Sequence, residues 1–288
     1  MVVRFDNRSN DHGVSESIGF MLIFTIVIAG IALVTLYGYP MLLQQQLSAE
    51  EKIMEKLMIV LQNDMKSLAY KTVPFKETAL KIGGGSLTVY NSSYSPSSSQ
   101  LSISYTTTAA GTVTPVTLFQ PGELRYESVS AQTDISLQNG GVAMRPRNQN
   151  GSTMLADPRW YYDWNTNTQT GTLVFNLMNI SSDTIMAKEG IGTVRMTMVR
   201  EPYYNYTTGV NPVVIEYTPY SGLNGLDYSV AWDNFMRKTF SNQQGLTFTP
   251  APGNAPGNHQ LLGYTLTPTG PNPLTVVIKR FDIEIEAV

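Results

Sequence analysis

Cysteine is absent from the chain, which excludes disulfides, thiolate metal sites and cysteine nucleophiles together, and with them a disulfide-stapled secreted scaffold. Charge is scarce: 14% of the 288 residues are Asp, Glu, Lys or Arg, and the formal net charge is -3. That leaves neither the basic footprint that nucleic acid requires nor the heavy acidity of a halophilic protein. Histidine occurs only as His12, near the N terminus, and His259, in a Pro/Gly-rich loop. A His-based triad therefore has little to work with, and a zinc site at His259 lacks neighbouring ligands. The expectation is a non-enzyme without metal or cofactor.

What the chain does have is one long apolar run. Residues 17–49 carry no Asp, Glu, Lys, Arg or His, and 18–39 (IGFMLIFTIVIAGIALVTLYGY) are apolar almost throughout. As a helix the latter run spans about 33 Å, close to the roughly 30 Å hydrocarbon core of a bilayer and longer than the core of a secretory signal. Tyr37 and Tyr39 suit a headgroup layer, and Pro40 marks a kink or stop. Arg4 and Arg8 precede the run, while the first cation after it is Lys52. The positive-inside rule then puts the N terminus in the cytoplasm and the remainder outside the cell. Ala29, Gly30 and Ala32 form a small-residue patch that admits a second helix.

The segment His12-Gly13-Val14-Ser15-Glu16-Ser17-Ile18-Gly19 resembles the processing region of archaeal type IV pilins and their relatives, the class III signal peptide. The resemblance implies cleavage by a prepilin-type peptidase between Gly13 and Val14, with the apolar helix left intact at the new N terminus. The family usually carries Lys or Arg where this chain has His12. After such a cut Glu16 is third from the new α-amino group and would pair with it, in its own or a neighbouring subunit. Alternatively, Glu16 is simply an acid favoured by the dipole at a helix start. The segments KETALKIGGGSLTV, GELRYES and ISLQNGGVAMRPRNQNGSTML are similar to those of a poorly characterised group of archaeal membrane proteins with β-rich ectodomains.

Beyond Pro40 the period is helical and amphipathic: Ile53, Met54, Leu57, Met58, Val60, Leu61, Met65 and Leu68 form a stripe, with Glu55, Lys56, Gln62 and Asn63 opposite. The Met-rich stripe reads as core. Past Pro74 the period becomes two. Thr78, Leu80 and Ile82, then Leu87 and Val89 across Gly83-Gly84-Gly85, read as a hairpin. Residues 101–105, 173–177, 194–199, 213–217 and 276–285 read as further strands, and the helical spacing of Ala231, Trp232, Phe235, Met236 and Phe240 predicts one short helix over 230–240. The fold class is therefore α+β. It comprises a leader (1–13), a transmembrane and stalk helix (14–72) and a mainly antiparallel, sandwich-like β head (73–288).

Asp157, Asp163, Asp183 and Glu189 lie near the aromatic run Trp160-Tyr161-Tyr162-Asp163-Trp164. This is the one place where paired carboxylates for glycoside hydrolysis, or a sugar-stacking surface, are worth seeking; packing or subunit contact is the preferred reading. Tyr203-Tyr204-Asn205-Tyr206 reads as an exposed β surface or interface. Sequons at Asn91, Asn150, Asn179 and Asn205 are candidate glycosylation sites on the outward side. Asp282, Glu284 and Glu286 alternate with Phe281, Ile283 and Ile285, as on a strand with one wet face. Taken together, these readings point to a structural pilin-like protein of the cell membrane and surface. Its expected partners are membrane lipid, copies of itself or other pilin subunits in a filament, and a prepilin-type peptidase, with no nucleic acid. The alternatives are a non-assembling anchored protein for adhesion or surface-layer contact and, further off, a tethered carbohydrate-binding module or glycosidase.

Overall fold

The computed structural model describes residues 11–71, 73–91, 99–107, 109, 111–220 and 226–288. Most of the expected leader, residues 1–10, therefore lies outside the described residues. The chain divides into two compact units, Met1–Ala49 and Glu50–Val288.

In the first unit, α1 (Asp11–Leu33) is followed by a single π-helical stretch, Val34–Gly38, and by α2 (Tyr39–Tyr70), which crosses the unit boundary. Pro40 does not stop the helix. It has no N–H and its ring displaces the carbonyl four residues back, so the ladder widens just before it, the Tyr39 N–H donating to the Val34 carbonyl.

The second unit contains the rest of α2 and the strands β1 (Phe75–Tyr90), β2 (Gln100–Thr107), β3 (Gly111–Phe119), β4 (Glu123–Ser128), β5 (Thr133–Gln138), β6 (Gly141–Pro146), β7 (Thr153–Ala156), β8 (Tyr161–Asn165), β9 (Thr170–Ser181), β10 (Met186–Met198) and β11 (Tyr203–Thr218). Helix α3 (Ser229–Phe240) precedes β12 (Leu246–Pro250), β13 (Leu262–Pro268) and β14 (Leu274–Ala287). The pairing order is β12-β13-β11-β14-β10-β1-β4-β5-β6-β7, with β2–β3 joined to β11 and β8–β9 joined to β14. All pairings among the described residues are antiparallel except β9 with β14, which runs parallel from Thr172/Thr275 to Ser181/Glu284.

Two cores lie on opposite faces of this pair. Leu173, Phe175 and Leu177 on β9 and Leu274, Val276 and Ile278 on β14 face a core shared with α3, β2, β11 and β13. Met178, Ile180, Phe281, Ile283 and Ile285 face a second core, filled by Met54, Met58, Leu61, Met65 and Leu68 of α2. The amphipathic stripe thus buries as expected, with one correction. Val60 and Ile53 are exposed, whereas Gln62, assigned to the wet side, is buried. Its amide donates to the carbonyls of Gly140 (2.7 Å), Asp157 (3.0 Å) and Ala156 (3.3 Å). Carbonyls at turns and strand ends are costly to bury unsatisfied, and a helical amide at this position reaches three of them.

The hairpin expected across Gly83-Gly84-Gly85 is not formed. β1 is one strand that stays antiparallel to β10 on both sides of a bulge between Ile82 and Leu87. The glycines serve close approach: a Cβ on Gly85 would stand 2.3 Å from the Glu127 carbonyl oxygen, and Gly84 has φ +62°. A two-residue hairpin does form at Asn139-Gly140, where both φ angles are positive (47° and 70°), joining β5 to β6. The contrast supplies a test. Gly85→Ala should lower stability by about 1–3 kcal/mol through overpacking. Gly83→Ala, whose Cβ would meet the Glu50 side chain first, at 3.0 Å, should cost less, about 0.5–1 kcal/mol. Urea unfolding of the detergent-solubilised chain reads both.

Candidate functional site

The most prominent feature of the first unit is the exposed apolar surface of the helix itself. Every residue from Ser17 to Gln46 is exposed, and Phe20, Ile23, Ile26, Ile31, Val34 and Leu36 point in all directions. A helix apolar on every side has no stable place in water and needs lipid or other helices around it. Its length and composition are compatible with a membrane anchor. Gly13, Val14 and Glu16 fall inside α1 by backbone.

In the second unit the most concentrated chemistry was not anticipated from sequence. One face of β4–β5–β6 carries Glu123, Arg125, Asp134, Ser136, Gln138 and Arg145, all buried, while Leu124, Tyr126, Ile135, Leu137 and Val142 on the other face fill the α2 core. Arg125 pairs with Glu123 and, at 3.1 Å, with Glu127, and its guanidinium covers the Tyr90 ring at 4.1 Å. Arg147 clasps Asp134 through Nε at 2.9 Å and 3.0 Å, which raises the Arg147 pKa. Ser136 donates to Glu123. Carboxylates already held by guanidinium groups in this way serve structure rather than proton transfer. The signal was present in the alternation Glu-x-Arg-x-Glu of GELRYES, but alternation alone suggests a wet face.

The carboxylates singled out near the aromatic run do not converge. Asp157 pairs with Lys238 at 2.6 Å, and Glu189 lines a shallow surface depression beside Gly84, Gly85 and Val129. Asp163 is opposite Thr172 at the start of β9, and Asp183 follows that strand's end at Ser181, roughly 30 Å away along an extended strand. Asp183 instead neighbours Glu284, whose pKa is raised by partial desolvation and by that like charge. His259 sits in its loop with a ring nitrogen 3.0 Å from the Tyr220 carbonyl, while its backbone N–H donates to Asp227 at 2.9 Å. No group of metal-ligating side chains occurs among the described residues.

Trp160 is core, donating to the Asn176 carbonyl at 2.8 Å and packed edge-on against Phe175 at 5.2 Å. Tyr162 donates to the Gln244 carbonyl at 2.8 Å, and burial pushes its hydroxyl up to about 12. Tyr161 is exposed. A 610 Å³ groove opens where Leu177 and Asn179 of β9, Arg280 and Asp282 of β14 and Tyr203 of β11 form a floor beside Leu118 and Phe119 of β3. Asp282 accepts there from Arg200, Arg280 and Asn179, each at 3.2 Å.

The fold separates the four sequons. Asn150 is exposed in the β6–β7 turn. Asn205 is half-buried beside the groove and accepts from Thr207 at 2.9 Å. Asn91 donates to the Ser182 carbonyl at 2.6 Å. Asn179 is wedged between strands, its nitrogen on Asp282 and its oxygen buried.

A model of a family of unknown function, DUF7289, matches residues 12–216. No curated protein and no solved structure matches the chain.

Two outcomes follow from the geometry. Arg125→Met should destabilise the second unit by about 3–5 kcal/mol, a fall of roughly 6–20 °C in Tm, because Glu123 is left buried without its guanidinium partner; adding Glu123→Gln should restore part of it. Intact-glycopeptide mass spectrometry of the chain made in an N-glycosylating host should find Asn150 occupied and Asn179 bare.

Proposed function

The chain belongs to DUF7289, a family of unknown function, and we propose that it is an archaeal type IV pilin-like cell-surface protein without catalytic activity. Its apolar helix sits in the membrane or in a filament core, and its β head faces outward. The observation that carries this reading is the uncharged helix surface over residues 17–46, exposed on all sides, in a helical segment that passes into the packed stripe of α2. Such a surface is stable only inside lipid or among like helices. The pilin-like sequence from His12 to Gly19 supports processing between Gly13 and Val14, which leaves Glu16 near a new α-amino group. A head carrying sequons and exposed tyrosines also favours a second reading, in which the protein remains a membrane-held adhesin or surface-layer contact and does not assemble.

Membranes and sheared surface filaments from cells expressing the full chain test this, using carbonate extraction and N-terminal peptide mass spectrometry. A peptide beginning at Val14 in filaments is the expected result for a pilin. Met1 retained, with the chain confined to membranes, removes the filament and leaves the anchored adhesin. A soluble chain beginning beyond Tyr39 identifies a cleaved signal and sinks both. Ile26→Arg, costing about 2.5–3.5 kcal/mol at the helix centre, should empty the membrane fraction.

A further inference from the structure

The two aromatic runs that look unrelated in sequence meet on one face of the head. β-Pairing sets Tyr161 opposite Val174, Val174 beside Val277, and Val277 opposite Tyr206. One cross-strand row, Tyr161–Val174–Val277–Tyr206, therefore runs over β8, β9, β14 and β11. The neighbouring row places Tyr204 opposite Lys279, which is itself beside Asn176. Tyr161, Tyr204 and Tyr206 are 42%, 59% and 70% exposed, although residues of this face nearer α2, such as Met178 and Phe281, are buried. Tyr70, at the end of α2, borders the strip. Its ring is edge-on to Phe281 at 5.2 Å and lies under Arg159 at 4.4 Å, and burial raises its hydroxyl pKa with smaller effects from Tyr161 and Tyr204.

We infer that this tyrosine strip is a binding face for a neutral polysaccharide chain. Three inter-strand steps separate Tyr161 from Tyr206, so the strip is about 14 Å long, enough for several pyranose rings in a row. Between the tyrosines lie two uncharged residues, the buried Val174 and the half-buried Val277. Thr172, Thr275 and Asp163 on one side and Lys279 on the other supply hydroxyl, acceptor and donor groups. A pyranose ring presents an axial C–H face to an aromatic π-face, which is negative, and equatorial hydroxyls at its edge, matching platforms flanked by polar groups. A second copy of the chain is a poorer occupant. The three tyrosines expose on the order of 300–400 Å², against about 800 Å² per partner in a stable interface, and the strip is rimmed by charges of both signs. The inference rests on the head facing outward, as in the reading above, but uses none of the helix residues.

The test is retention of the full chain, in detergent, on particulate cellulose, particulate chitin and immobilised mannan. The wild type is expected to bind at least one of the three with affinity unchanged by a tenfold rise in salt. Tyr161→Ala with Tyr206→Ala should weaken that binding about tenfold, while Tyr161→Phe with Tyr206→Phe retains it. Tyr203→Ala, on the opposite face in the groove, should leave it unchanged. The exposed positions keep folding intact, which circular dichroism melting checks. No retention on any of the three, an equal loss with Tyr203→Ala, or a double variant that alters only self-association in sedimentation velocity overturns the proposal. A soluble, signal-cleaved chain that still binds would refute the anchor and leave the strip standing.

Discussion

The parallel pairing of β9 with β14 is the constraint on which the head depends. Side chains alternate along each strand, so the pair feeds two cores at once: Phe175 and Ile278 point to one, Met178, Phe281 and Ile283 to the other. Strands buried on both faces read as nearly continuous apolar runs, as β9 does from Leu173 to Leu177. Where each core stops short of the pair's full length, the remaining half of each face is bordered by surface side chains rather than by core residues. One such half is the groove around Asp282; the other is the strip with Tyr161, Tyr204 and Tyr206. Both surface features are consequences of how two cores overlap diagonally on one pair of strands.

The amphipathic half of α2 completes the second core and brings Gln62 to the loop carbonyls beneath β6 and β7. The charged network on β4–β5–β6 performs the complementary task on the other face. There Glu123, Arg125 and Asp134 are buried with guanidinium–carboxylate bonds already formed, because a buried charge is tolerated only when paired. Such a network pins strand register: a slip of one residue would move Arg125 into the methionine-filled core and Tyr126 out of it.

Much of this was legible in the sequence. The apolar helix, the amphipathic stripe, α3 and the strands β1, β2, β9, β10, β11 and β14 follow from periodicity, which local sequence expresses directly. Two readings failed for identifiable reasons, and one feature went unread. The triple glycine resembles a turn, yet it accommodates close contact with Glu127 across a continuous strand, and only the neighbouring strand reveals that need. Gln62 resembles a wet-face residue because its helical phase is polar, while its partners lie 78 to 95 residues away. The buried pairing of Glu123 with Arg125 was not read at all, because alternation in sequence is the same whether the polar face meets water or a second layer.

By itself the sequence determined the absence of thiol chemistry, the membrane-length apolar segment and the α+β division, since composition and local period depend on no distant partner. Tertiary structure alone decided that β9 and β14 run parallel, that Asp157, Asp163, Asp183 and Glu189 stay apart, and that two aromatic runs share one face. Those outcomes depend on strand order and direction. Alternation records which residues share a face of one strand, but it carries no information about which strand lies beside it.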